Sequence, residues 1–134
     1  MGIEKFTDII AWQLGMELHQ RIIEITLRPL VARRFKFCEQ LLDASSSVSA
    51  NIAEGFLRYT IPEFLNYLRI AAGSLGETET RLRQGLAAGW VTDDDMTTIG
   101  PLIGRTGKAI AAFRRSIQKF RKQPRKRRTA GPKT

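Results

Sequence analysis

The chain has 134 residues, of which 43% are hydrophobic, enough for one domain around one apolar core. It contains no apolar run of about 18 residues, and its first residues, MGIEKFTD, lack the basic and apolar regions of a secretory signal. We therefore expect neither a membrane span nor export. The single cysteine, Cys38, cannot form an internal disulfide, which favours a reducing cytoplasm.

Positive charge is concentrated near the C-terminus. The chain has 22 Lys and Arg against 13 Asp and Glu, a formal charge of +9. Residues 121–134 supply seven of the basic residues and no acid, which leaves 15 basic and 13 acidic residues, or +2, in residues 1–120. Such a segment favours polyanions, nucleic acid before anionic membrane. The alternative is a disordered, solubilising extension that binds no particular partner.

Apolar residues recur with helical spacing in four segments, and no alternating pattern of a strand is present. The first predicted helix begins near Thr7 or Asp8, either of which is a suitable N-cap, and ends before Pro29. The second follows the sequence RPLVARR and should end near Arg58.

The third predicted helix has clear boundaries. Thr60 and Glu63 form a capping-box pattern with Pro62 in the first turn, and Gly89 is a suitable left-handed C-cap. Its apolar face consists of Phe64, Leu68, Ala71, Leu75, Leu82 and Leu86.

The fourth predicted helix has the most regular pattern. Thr92 is its expected N-cap, and residues 93–95, all Asp, suit the N-terminal dipole. Gly100 and Pro101 predict a kink or a ragged first turn. A heptad seam follows an alternating three-four spacing through Met96, Ile99, Ile103, Thr106, Ile110, Phe113, Ile117 and Phe120.

Four such helices joined by short turns predict an all-α fold, an antiparallel up-down-up-down four-helix bundle. We assign residues 1–120 to the bundle and residues 121–134 to a basic flexible tail, disordered unless bound.

Two segments carry a resemblance to a known family. SANIAEGF (residues 49–56) and PEFLNYLRIAAGSLGETETRL (residues 62–82) resemble the signature of the four-helix proteins named for bacterial 23S rRNA intervening sequences. FTDIIAWQLGMEL and LAAGWVTDDDM resemble the family's opening helix and its turn before the last helix. The resemblance covers about residues 3–120. Ser49, Gly76 and the pair Gly100-Pro101 depart from the usual pattern, which concerns helix straightness rather than the fold.

The resemblance implies antiparallel bundles that assemble into pentameric rings. It also implies a relation in shape to the accessory protein of diversity-generating retroelements, a basic pentameric ring that binds nucleic acid and a reverse transcriptase. No catalytic activity is attached to either group.

The signature residues fall on two helices. Asn51, Glu54, Gly55 and Arg58 are three or four apart and share one stripe of the second helix. Glycine in a helix costs about 1 kcal/mol relative to Ala, so close helix packing is its usual reason. We interpret the signature as a packing or subunit contact; a ligand or nucleic-acid site and an active site are the alternatives. Its members are Asn51, Glu54, Gly55, Gly73, Ser74 and Glu77.

Enzymatic patterns are missing from the sequence. A di-metal site in a four-helix bundle needs two Glu-x-x-His motifs, and the chain has one histidine, His19. Cys38 has no nearby histidine in sequence, and no phosphate-binding loop is present. We therefore expect a non-enzyme without cofactor or metal.

The predicted function is a non-enzymatic, oligomeric scaffold that contacts nucleic-acid phosphates without strong sequence specificity, and RNA and DNA fit equally. The alternative is a protein–protein adaptor, for example an accessory subunit of a reverse transcriptase. Membrane attachment through the tail lacks apolar anchors. The residues predicted to bind nucleic acid are Arg114, Arg115, Lys119, Arg121, Lys122, Arg125, Lys126, Arg127 and Arg128, with Arg33, Arg34 and Lys36 as further candidates.

Self-association is expected from apolar side chains outside the predicted seams, which a monomer would expose. They are Trp12, Leu57, Tyr59, Leu65, Tyr67 and Trp90.

Overall fold

A computed structural model describes residues 2–120. All regular secondary structure in this range is helical. The elements are a 3-10 helix at Phe6–Asp8, followed by α1 (Ile10–Thr26), α2 (Pro29–Ala32), α3 (Phe35–Phe56), α4 (Ile61–Ala88) and α5 (Asp93–Gln118). The four long helices are the four predicted ones. The single turn of α2 was not predicted.

The long helices form an antiparallel bundle. α3 packs between α1 and α4, and α5 closes the bundle by packing against α4 and α1. We call the end that holds the start of α1, the α3–α4 turn and the end of α5 the tail end. The opposite end, with the connection at residues 27–34 and the α4–α5 turn, is the α2 end. The fold class is confirmed, whereas the predicted tail at residues 121–134 lies outside the described range.

The core follows the predicted apolar faces. Phe64, Leu68 and Leu82 of α4 are fully buried, as is Ile117 of α5. Thr106 is the polar residue of the predicted seam, and its hydroxyl is paired. Its Oγ1 donates to the carbonyl of Leu102 at 2.7 Å. A hydroxyl that donates to a backbone carbonyl in this way can lie in an apolar core at little cost in free energy.

Helix boundaries agree with the predictions in part. Thr60 accepts a hydrogen bond from the Glu63 amide at 3.2 Å, and Gly89 ends α4 with a φ of 83°. Thr92 and Asp95 form a complete capping box on α5. The N-cap of α1 is Ile9, without a side-chain bond, so the prediction of Thr7 or Asp8 was wrong: those two residues belong to the preceding 3-10 helix.

Pro101 lies inside an uninterrupted α5. The helix runs from Asp93 to Gln118, so the expected ragged first turn is not found. The proline is on the exposed side of the helix, and a capping box secures the turn before it. α3 also ends two residues earlier than expected, at Phe56 rather than Arg58.

The expected exposure of six apolar residues was largely wrong. Only Tyr59 is exposed; Trp12, Leu57, Leu65, Tyr67 and Trp90 are half-buried. Aromatic packing explains two of them, since Trp12 contacts Phe6 and Trp90 contacts Phe37 edge-to-face. Within residues 2–120, the large apolar residues that are exposed besides Tyr59 are Ile10, Met16, Leu27, Leu30 and Phe35, which the sequence patterns did not single out.

Candidate functional site

The inner part of the signature is a polar bridge between α3 and α4. The Asn51 amide nitrogen Nδ2 donates to both the backbone carbonyl and the hydroxyl of Ser47, at 2.8 Å each. The Ser74 hydroxyl of α4 donates to the same Ser47 Oγ at 2.8 Å. Ser47 therefore joins the two signature segments, although sequence reasoning did not name it. Its only signal was its position one helical turn before Asn51.

Gly55 lies where α3 approaches α4 closely. A Cβ atom added to this residue would stand 2.8 Å from Phe64 Cδ1 and 2.8 Å from Tyr67 Cβ. Neither atom can move aside easily, because Phe64 is fully buried and Tyr67 Cβ is attached to the α4 backbone. Packing at this position thus requires glycine.

Glu54 and Arg58 extend the same contact towards the surface. The Arg58 guanidinium pairs with Glu54 and donates to the Tyr67 hydroxyl at 2.7 Å. Its central carbon lies 4.9 Å from the centre of the Tyr67 ring, within the range of a cation–π interaction. Arg58 therefore holds the end of α3 against α4, and Glu54 orients it.

The outer part of the signature does not contribute to this packing. Gly73 is exposed, and no atom of another element lies within 4 Å of the place its Cβ would take. Glu77 is also exposed and pairs along its own helix with Arg81 at 3.6 Å. Gly73 lies on the outward side of α4, so it does not bring α4 closer to α3.

The basic candidates on the bundle fall into two groups at opposite ends. Arg114, Arg115 and Lys119 are exposed at the tail end, and none forms an ion pair with a described residue. Arg33 and Lys36 at the α2 end are likewise exposed and without an ion pair to residues 2–120. The remaining candidates lie outside the described residues: Arg121, Lys122, Arg125, Lys126, Arg127 and Arg128.

Charge is also distributed unevenly along the sequence, and the change falls within α5. No acidic residue follows Asp95, whereas residues 96–134 contain 12 basic residues. Residues 1–95 hold the other 10 basic residues and all 13 acids, a net charge of −3. The positive field therefore begins on α5 itself, before the tail.

His19 and Cys38 are of residue types that serve in nucleophilic catalysis, but the surroundings of neither suit that role. His19 Nδ1 lies 2.8 Å from Ser45 Oγ, but Ser45 is fully buried between α1 and α3. Burial lowers the pKa of His19. Cys38 donates to the carbonyl of Val31 at 3.3 Å, and burial raises the pKa of its thiol, the opposite of what a reactive thiolate needs. Both contacts join neighbouring elements of the bundle.

The α2 end is closed by an ion pair between Arg28, the N-cap residue of α2, and Asp95 of α5. Arg28 Nη2 donates to Asp95 Oδ2 at 2.6 Å, and Nη1 donates to Oδ1 at 3.2 Å. Burial alone would raise the pKa of Asp95, but hydrogen bonds from Arg28 and Thr92 outweigh it and lower this pKa. Arg34 stacks on the Trp90 ring at 5.0 Å and covers the turn from outside.

A cavity of about 370 Å³ opens between α4 and α5, and we call it the α4–α5 groove. Its lining residues are Glu79, Arg83, Leu86, Met96, Gly100, Ile103 and Gly104. Within residues 2–120, no group of three or more His, Cys, Asp or Glu side chains could hold a metal ion. None of the helices in that range is long and apolar enough to cross a lipid bilayer.

These features define an all-helical bundle whose signature residues lie along one helix pair, α3 and α4. The chain belongs to the family of 23S rRNA-intervening sequence proteins, which matches residues 7–112. The predicted relation to the accessory protein of diversity-generating retroelements stays a prediction.

A solved structure supports the fold. The crystal structure of a protein of unknown function from the S23 ribosomal protein family, from Bacteroides thetaiotaomicron VPI-5482, is similar to this chain with a TM-score of 0.69. The two are 21% identical, and the match covers 78% of this chain and 97% of the other. Identity at this level establishes the fold alone. No curated protein matches the chain significantly.

Proposed function

We propose that this protein is a non-enzymatic, oligomeric scaffold that binds nucleic acid through phosphate contacts at its tail end. The observation that carries the proposal is the placement of Arg114, Arg115 and Lys119. They are exposed at the end of α5, directly before a segment with seven basic residues and no acid. Contacts of this kind recognise phosphates rather than bases, so no strong sequence preference follows.

The pairing of the arginines favours this surface over the faces that carry Arg81, Arg83 and Arg105. Arg81, Arg83 and Arg105 already form ion pairs with Glu77, Glu79 and Glu17. A phosphate that binds them must replace an existing partner. Arg114 and Arg115 have no such partner among the described residues, so each offers a bidentate guanidinium to a phosphate without breaking an ion pair.

Truncation is the direct test. Binding of a fluorescent single-stranded RNA and a duplex DNA is measured with the full chain and with a chain that ends at Phe120. We expect the truncated chain to bind at least about tenfold more weakly, and the full chain to lose affinity steeply between about 50 and 200 mM salt. Equal binding by both chains would exclude residues 121–134 from the binding surface, and a flat salt response would refute phosphate contacts altogether.

A matched pair of variants locates the surface on the bundle. Arg114→Gln/Arg115→Gln and Arg33→Gln/Lys36→Gln each remove two exposed charges, from opposite ends. Each lost phosphate contact lowers the salt slope by about 0.7–0.9, so we expect the first variant to lower it by roughly 1.5. The second should leave it unchanged. The reverse result would move the binding surface to the α2 end.

The assembly is part of the proposal. We propose a homo-oligomer, a pentamer as the resemblance implies, in which the outward side of α4 approaches a neighbouring copy. Gly73 and Gly76 support this, since both are exposed and no atom of another element lies within 4 Å of where a Cβ would be. Light scattering should show a smaller assembly for Gly73→Gln/Gly76→Gln, while Gly104→Gln in the α4–α5 groove serves as the control. An unchanged mass in both variants would place the contact elsewhere.

An adaptor role is the second candidate. The exposed Leu27, Leu30 and Phe35 favour it, because phosphate contacts at the tail end do not explain apolar residues exposed at the opposite end.

A further inference from the structure

The α2 end exposes an apolar surface in the connection between α1 and α3. Leu27 is 72% exposed, Leu30 51% and Phe35 82%, all within nine residues of chain. Together they present apolar area on the order of 300 Å², the scale of the largest patch on a typical monomer, which is frequently functional. By contrast, Val31 and Phe37 in the same stretch are buried. The local fold therefore separates inward from outward apolar residues instead of leaving the segment loosely packed.

Positive charge is interleaved with these side chains. Arg33 and Arg34 precede α3, Lys36 lies in its first turn, and all three are exposed. α3 begins with no side-chain cap and no acidic residue in its first turn, so its N-terminal dipole adds to the positive potential. We call Leu27, Leu30, Phe35 and these three cations the α2 surface.

Acidic residues of the same end lie on α3 and α5, outside the α2 surface. Glu39 is exposed one turn further along α3, and Asp93 and Asp94 are exposed at the start of α5. Asp95 is held by Arg28. The positive region is therefore bounded by negative charge.

We propose that the α2 surface docks an acidic segment of another protein that carries apolar side chains. Leu27, Leu30 and Phe35 bury apolar residues of that segment, and Arg33, Arg34 and Lys36 pair with its carboxylates. Burying apolar side chains provides affinity, while charge complementarity selects an acidic partner and speeds its association.

A protein segment is favoured over a flat anionic membrane and over a two-fold contact between copies. A flat anionic membrane would meet Asp93, Asp94 and Glu39 together with the cations, whereas a peptide has a footprint small enough to avoid them. A two-fold contact with a second copy would bring Arg33 and Lys36 near the same residues of the partner copy, which like-charge repulsion opposes. A ring contact would pair the α2 surface with a different face of the neighbour, and the light-scattering measurement below identifies that case.

The α2 surface and the nucleic-acid surface can be occupied together. α4 has 28 residues, which at 1.5 Å per residue separates the two ends by about 40 Å. The inference does not depend on nucleic-acid binding, and each of the two can fail without the other.

An array of synthetic 15-residue peptides tests the proposal with the full chain as probe. The peptides vary in net charge, from acidic to basic, and in the number of Leu and Phe residues, from none to four. We expect the bound set to consist of acidic peptides with apolar residues. Solution titration of the best of them should show at least about tenfold weaker binding for Leu27→Ser/Phe35→Ser. Both side chains are largely exposed, so this variant should fold.

Three controls distinguish specific docking at the α2 surface from a general effect of the substitutions. Ile10→Ser/Met16→Ser removes two other exposed apolar side chains and should bind the peptide like the original chain. Arg33→Gln/Lys36→Gln should weaken peptide binding, and Leu27→Ser/Phe35→Ser should leave nucleic-acid affinity unchanged. The proposal is overturned if no acidic peptide binds, or if charge-neutral and basic peptides bind as well.

The other occupants have their own signatures. Co-sedimentation with vesicles of 70% phosphatidylcholine and 30% phosphatidylserine that is lost in Leu27→Ser/Phe35→Ser would identify a membrane surface. A smaller assembly of that variant in light scattering would identify a second copy. Either result replaces the proposed partner.

Discussion

α4 packs against two neighbours in different ways. Against α3 it forms a tight seam, in which Gly55 lies against Phe64 and the hydroxyls of Ser47 and Ser74 bond directly. Against α5 it leaves the α4–α5 groove, a cavity of about 370 Å³. Two glycines of α5, Gly100 and Gly104, line this groove with no other element within 4 Å of where a Cβ would be.

The glycines in these helices therefore fall into two classes, those that close packing requires and those that it does not. Each glycine inside a helix costs about 1 kcal/mol relative to Ala. In the α3–α4 seam, this cost is offset by close packing, which a larger residue at Gly55 would prevent. In the groove, nothing within the described chain offsets it. The inner signature residues are therefore explained by the fold of one chain, whereas Gly73, Gly100 and Gly104 are not.

The largest expected effect is at Gly55. Gly55→Ala forces a Cβ against Phe64 and Tyr67, and overpacking of this kind costs about 1–3 kcal/mol. Better helix propensity returns less than about 1 kcal/mol, so we expect a net loss of about 1–2 kcal/mol in the free energy of unfolding. Urea denaturation measures it. An unchanged midpoint would mean that the α3–α4 seam is no tighter than the groove.

The next effect concerns the ion pair between Asp95 of α5 and Arg28, which precedes α2. Asp95→Ala removes both the Arg28 ion pair and the reciprocal half of the capping box with Thr92. Loss of such a cap costs about 1 kcal/mol, and the half-exposed Arg28 adds a screened contribution of less than about 1 kcal/mol. We expect about 1–1.5 kcal/mol by thermal or urea unfolding. Asp94→Ala, in the same turn, is the control.

The lowered pKa of Asp95 gives this contribution a pH dependence. Its folded pKa is below the unfolded value of about 3.9, so the stabilisation is complete above that pH. It is lost as pH falls through the folded pKa. The difference in stability between the original chain and Asp95→Ala should therefore shrink below about pH 4, and a constant difference would contradict the ionic contribution.

The hydrogen-bonded bridge tests the seam from its polar side. Ser47→Ala leaves the Ser74 hydroxyl and one donor position of Asn51 without their partner, and we expect a loss of about 1 kcal/mol. Ser74→Ala should lose part of the same energy. Because both variants remove one bond, their effects should be non-additive by about 0.5 kcal/mol in a double-mutant cycle. Strict additivity would show that the bond contributes nothing.

In the groove, the expected sign is reversed. Gly104→Ala adds a methyl group to open space, and its helix propensity should raise the free energy of unfolding by about 0.5–1 kcal/mol. Urea denaturation of Gly104→Ala beside Gly55→Ala gives the matched comparison. A destabilised Gly104→Ala would mean that the groove closes around this glycine in solution.

The sequence could predict the long helices because their apolar spacing is regular and their caps have specific chemistry. Thr92 and Gly89 were recognisable for that reason. The turn of α2 was not, since four residues carry no periodicity. Gly55 and Gly73 look alike in a sequence, because what separates them is the presence of Tyr67 and Phe64 on a neighbouring helix. Ser47 was missed on the same ground, since its partner Ser74 is 27 residues away.

The smallest effect comes from the seam between α1 and α3, where the only histidine lies. His19 contacts Ser45 at 2.8 Å, and burial lowers its pKa below the ordinary value of 6.5. The folded state therefore favours neutral imidazole, so stability is complete above about pH 6.5 and falls as pH drops from there through the folded pKa. His19→Gln should remove this part of the pH dependence. Because the chain has one histidine, a single imidazole resonance followed by NMR titration reports its pKa directly. A value at or above 6.5 would show that this seam admits a charge, and that it is more hydrated than the α3–α4 seam beside it.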